Sequence, residues 1–126
     1  MSFLRHAMDV GLTPPIEYHA GKANEAIVLG EALAITAGAL TKCGATAKPD
    51  YIAVGPVKEG TVPVIKVQDY ILFDAPLTAA GTSLKVGDKV TLAATGLGVT
   101  ATTESGVATI VAIHGTAVGD TVTVRF

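Results

Sequence analysis

The sequence predicts a mostly β fold, a single small β-barrel or β-sandwich of short hairpins preceded by an extended N-terminal arm. Three observations carry this. Fourteen glycines and six prolines are spread along the 126 residues, which suits many short elements joined by turns. Between the turns, about eight to ten short apolar or alternating runs read as strands. Finally, Val86-Gly87-Asp88-Lys89-Val90-Thr91-Leu92 is matched near the C-terminus by Val118-Gly119-Asp120-Thr121-Val122-Thr123-Val124. In each copy a Gly-Asp turn starts a strand with one core face and one wet face, the wet residues being Lys89 and Thr91, then Thr121 and Thr123. The matching stretch is short, so the copies are equivalent turn–strand starts and not a repeat array.

Residues 1–25 differ from the compact β domain expected over 26–126. They hold Arg5, His6, Asp9, Glu17, His19, Lys22 and Glu25 beside Phe3, Leu4, Met8, Leu12, Ile16 and Tyr18. Pro14-Pro15 forbids a continuous helix and favours an extended path. A solvated tail has no use for that many large apolar groups, so an arm that orders against a partner or neighbouring subunit is expected. Its contact residues are Phe3, Leu4, Arg5, His6, Met8, Pro14, Pro15, Ile16 and Tyr18.

Ala26–Gly38 fits strand or helix by apolar spacing. Gly30 weakens a helix by about 1 kcal/mol, and the reading adopted is two strands, Ala26–Leu29 and Ala32–Ile35, with a turn at Ala37-Gly38 into Ala39–Lys42. Lys48-Pro49-Asp50 turns into the strand Tyr51–Val54. Thr61–Val67 follows the Lys58-Glu59-Gly60 turn. Pro63 cannot donate to a ladder, so that strand is expected at an edge or bulged. Tyr70–Phe73, Lys89–Leu92, Val99–Thr102 and Val107–His114 complete the set, the last three as a meander whose Val107–Ile113 strand is apolar on both faces.

The composition is 49% hydrophobic with 5% aromatic residues and no tryptophan, and only 16% of residues are charged, against the roughly 25% usual for soluble domains. With a mean hydropathy of +0.50, such a surface is expected to be partly covered by a partner. The net charge of −2 and the scattered lysines and arginines give no footprint for nucleic acid. No signal peptide is read, and Ala26–Leu40 is too short and broken to span a bilayer, so no membrane association and a cytosolic site of synthesis are expected.

No catalytic constellation is in view. Asp88 and Asp120 read as turn caps, and neither loop has the alternating acids of a calcium site. Asp69 and Asp74 lie at opposite ends of one strand. His6, His19 and His114 lack metal-ligand spacing, and the single Cys43 reads as a semi-buried thiol. Neither a nucleophile elbow nor a phosphate loop occurs. No enzymatic activity, cofactor, metal or small-molecule substrate is therefore expected.

The stretch Gly30–Ile35, Ala39–Lys42 and Lys48–Val54, with the later Phe73-Asp74-Ala75-Pro76-Leu77 and the Gly-Asp-Lys-Val-Thr-Leu run, resembles the capsid decoration (cement or head-stabilising) proteins of tailed phages. The resemblance covers residues 30–126. It implies a non-enzymatic β-rich virion protein on the capsid exterior, made in the host cytoplasm. Its partner would be the major capsid protein, it would form a homo-oligomer, with a trimer favoured, and it would clamp neighbouring capsid subunits with its arm docked on the capsid. Two alternatives stand beside it. One is another phage structural protein, of head completion or tail. The other is a β-sandwich ligand- or glycan-binding module, which three Tyr, three Phe and no Trp supply poorly.

Overall fold

The computed structural model describes residues 3–8 and 15–126, and for residues 4–8 the backbone alone. Among the described residues ten strands form: β1 (Leu4–Met8), β2 (Ile16–Ala20), β3 (Ala32–Thr36), β4 (Ala39–Lys42), β5 (Tyr51–Ala53), β6 (Thr61–Lys66), β7 (Ile71–Pro76), β8 (Lys89–Val90), β9 (Ala108–Ile113) and β10 (Thr121–Arg125). Two five-stranded antiparallel sheets result, ordered β1-β7-β10-β9-β8 and β2-β6-β5-β3-β4. This is the all-β, sandwich-like architecture expected.

The main core lies between the sheets. Alternation along β7 and β10 sends Ile71, Phe73, Ala75, Val122 and Val124 inward, where they meet Ala32, Ile52 and Ile65 of the second sheet. The second sheet is also covered on its far face, where Leu33, Leu40, Ala53, Val62 and Val64 pack around Ile27. That sheet curls until Gly21, just beyond β2, forms a parallel bridge with Leu40, and the Lys22 N–H donates to the Leu40 carbonyl at 2.8 Å.

The arm expected ahead of residue 26 is, over its described part, sheet and not appendage. β1 pairs with β7, and β2 pairs with β6. Phe3 is 1% exposed, its ring 5.6 Å from that of Phe126, which lies 5.7 Å from Phe73. Large apolar groups at the N-terminus are thus partly explained by this chain's own core. Residues 9–14, Pro14 among them, lie outside the described residues.

Three strand expectations are corrected. Ala26–Leu29 joins no ladder. Gly30 adopts φ 81°, and the Glu31 N–H closes a turn on the Val28 carbonyl at 3.2 Å, which leaves Ile27 to plug the second core. Val99–Thr102 shrinks to bridges from Val99 to Leu77 and Leu92. Thr100 diverts the backbone there, its Oγ1 accepting from the Thr102 N–H at 3.0 Å and meeting Thr91 Oγ1 at 2.7 Å. Pro63 sits in β6, an inner strand whose register with both neighbours is unbroken. The missing donor is tolerated because it would face Val54, one residue past the end of β5, where the Val54 N–H donates to the Pro63 carbonyl at 2.9 Å. The hairpin expected at Ala37-Gly38 does form, with φ values of 52° and 81° that match a type I′ turn.

Candidate partner-binding surface

The two Gly-Asp copies fold alike. The Asp88 N–H donates to the Lys85 carbonyl and the Asp120 N–H to the Ala117 carbonyl, both at 3.0 Å. Each carboxylate accepts back, Asp88 Oδ2 from the Lys85 N–H at 2.9 Å and Asp120 Oδ2 from the Ala117 N–H at 3.0 Å. Gly87 and Gly119 take φ values of 98° and 92°, where a side chain is strained. Both aspartates are therefore turn caps. The faces expected to be wet are not wholly so: Thr91 is 7% and Thr123 2% exposed.

Thr123 links two titratable groups. Its hydroxyl donates to Asp74 Oδ1 at 2.7 Å and lies 3.0 Å from His114 Nε2. Since the Thr123 proton is given to the carboxylate, His114 is the donor in the second bond. The row aligns strands β7, β10 and the end of β9, and leaves the Thr123 oxygen engaged on both sides. Cys43 is buried, and its Sγ donates to the Ala47 carbonyl at 3.1 Å. Burial pushes the thiol up to about 11, which makes it a poor nucleophile at neutral pH. No three His, Cys, Asp or Glu side chains gather as a metal would require among the described residues.

Glu31 is a residue the sequence reading passed over. It is 3% exposed, against Gly96 and near Lys42, and its Oε2 has no hydrogen-bond partner among the described residues. Burial raises its carboxyl above the ordinary value, which a backbone bond from Val28 and the Lys42 charge only partly offset. No local pattern marks it, because the loop that covers it comes from residues 94–98.

The expected contact residues separate sharply. Phe3 is core. Leu4, Arg5, His6 and Met8 contribute the backbone of β1, their side chains lying outside the described residues. Pro15 is exposed, and on β2 Ile16 and Tyr18 are 54% and 68% exposed. They share the face of β2 that runs onto Pro63, since Ile16 opposes Ile65 and Tyr18 opposes Pro63. The opposite face of β2 is polar: Glu17 and His19 bond to each other at 2.9 Å, and the His19 ring lies 4.9 Å from that of Tyr51, tilted by 48°.

Beside Tyr18 lies a cleft of about 440 Å³ lined by Pro56, Lys58, Glu59, Thr61 and Pro63. Its wall is the Lys58–Thr61 turn, closed by reciprocal backbone bonds of 2.9 and 3.0 Å. Glu59 is held there at φ 53°, a left-handed conformation that costs a non-glycine residue of order 1 kcal/mol. An aromatic ring and two prolines thus line the cleft beside the charged Lys58 and Glu59.

Fold and surface together define a compact antiparallel sandwich in which Asp74, Asp88, Asp120 and His114 are engaged in structural hydrogen bonds, and whose exposed apolar groups include those on β2. Its architecture is similar to that of a phage protein, the N base of head fiber gp8.5 of bacteriophage phi29. The crystal structure of that base matches with a TM-score of 0.57 and 21% identity, over 89% of this chain and 94% of the other. No family model matches the chain, and no curated protein matches it.

Proposed function

We propose that this chain is a non-enzymatic structural protein of a tailed-phage virion that binds the outer surface of the assembled icosahedral capsid. The observation that carries the reading is the end-to-end similarity in fold to the base of a phage head fiber. The low charge content supports it, because a surface with 16% charged residues suits a protein that spends its life partly covered.

In this reading the protein stabilises the head by bridging neighbouring major capsid subunits, and the residues that touch the capsid include Pro15, Ile16 and Tyr18. Their exposure on β2 and just ahead of it supports that choice. Several copies joined in one oligomer, a trimer in the favoured arrangement, would gain avidity from individually weak contacts.

The test is direct. Purified protein is mixed with empty capsids of the phage that encodes it, and both sedimentation and capsid melting are followed. Co-sedimentation with a raised capsid melting temperature is expected. Protein that stays in the supernatant at saturating concentration overturns the proposal.

A further inference from the structure

We infer that the edge of β2 at Ile16–Tyr18, which no other strand pairs among the described residues, is a strand-addition site, and that a short extended segment of the major capsid protein occupies it, placing one uncharged apolar side chain in the Tyr18 cleft. The inference rests on the capsid reading above and names the contact by which it would be made. Its origin is the position of Pro63. The Val54 N–H donates to the Pro63 carbonyl, so the polar edge of residue 63 faces β5 and not β2. In an antiparallel pair the bonded and non-bonded positions alternate. Tyr18, directly opposite Pro63, is therefore at a non-bonded position, and its N–H and C=O point away from β6, as do those of Ile16. Beyond the strand the same alternation holds: the Gly21 N–H turns in to the Gly60 carbonyl, and the Lys22 N–H turns out to Leu40.

The Gly21–Leu40 bridge closes the far end of this edge, which confines an incoming strand to the stretch beside Ile16 and Tyr18. Those two residues supply two donors and two acceptors in a row, with apolar side chains on one face. That combination selects an extended peptide, because neither a helix nor a compact ligand presents backbone groups at strand spacing. The occupant's side chain is set by the cleft: Tyr18, Pro56 and Pro63 offer it apolar surface, which an apolar side chain would remove from water.

The experiment exploits the same geometry. Tyr18→Pro removes an N–H that β6 does not use, so the second sheet keeps its ladder, whereas Tyr18→Val keeps the N–H and trims the cleft. Binding to empty capsids is measured for both beside the unsubstituted protein, and amide exchange is followed with and without capsids. A drop of tenfold or more for Tyr18→Pro, a smaller one for Tyr18→Val, and slowed exchange at Ile16 and Tyr18 in the bound protein are expected. Undiminished binding by Tyr18→Pro, or unaltered exchange at both amides in bound protein, overturns the inference and leaves the capsid reading standing. Protection of the same amides by self-association without capsids overturns the choice of occupant. No binding by the unsubstituted protein overturns the capsid reading and this inference with it. The exchange measurement decides the matter if Tyr18→Pro fails to fold.

Discussion

Truncating Phe3 to alanine tests whether the N-terminal residues belong to the sandwich. The ring is 1% exposed and sits 5.6 Å from Phe126, the middle member of a three-ring cluster with Phe73. A buried phenylalanine removes roughly 150–250 Å² from water, and at about 25 cal/mol per Å² that is about 4–6 kcal/mol as an upper bound. The aromatic contact adds about 0.5–1.5 kcal/mol. Against this, Phe3 lies at a terminus, and β1 can detach once the ring is gone, which caps the loss at the free energy of undocking that strand. The expected cost of Phe3→Ala is therefore about 3–5 kcal/mol, as for other core phenylalanines. For a domain of this size that lowers the melting temperature by roughly 10–20 °C. Urea and thermal unfolding read it directly. A change below about 1 kcal/mol would refute the placement of Phe3 and restore a free arm.

Other substitutions follow from the same packing. Glu31→Gln should stabilise the protein at neutral pH, because the amide keeps the shape of the carboxylate without the charge that burial penalises. The sign follows from linkage: a carboxyl raised above 4.5 in the folded state binds its proton more tightly there than in the unfolded chain. Stability should thus be greatest below pH 4.5 for this group and fall as pH rises through the folded value, a slope that Glu31→Gln flattens in pH-dependent urea titrations. Gly106→Ala would drive a Cβ into the Lys89 backbone; a loss of at least about 1–3 kcal/mol is expected, with exchange rising at β8 first. Thr123→Val removes the shared partner of Asp74 and His114 at a 2% exposed position and should cost about 1–3 kcal/mol by chemical denaturation.

What could be read from sequence was what short-range chemistry decides. Ala37-Gly38, Lys48-Pro49-Asp50 and the two Gly-Asp turns announce themselves through residues that favour their backbone geometry, and the strands after them fall into place. What was hidden depends on distant partners. Thr123 alternates like a solvent-facing residue, but its hydroxyl is held by Asp74, 49 positions away, and by His114, nine away, which no local pattern announces. The first twenty residues carry charges and prolines that locally describe an arm, while β1 and β2 exist because β7 and β6 offer them edges. Pro63 argued for an edge strand, and the early end of β5 removed the conflict. For the candidate surface, Ile16 and Tyr18 were visible as apolar groups in a polar setting, but their separation from Phe3 required the sheets.

The proposal that this chain is a phage capsid protein is tested most directly by cryo-electron microscopy of the virion produced from the genome that encodes it, read together with the virion's protein inventory. The account predicts sandwich-shaped density on the outside of the head, with the β2 edge against the major capsid protein. Virions that lack this protein, or carry it away from the head exterior, would contradict it.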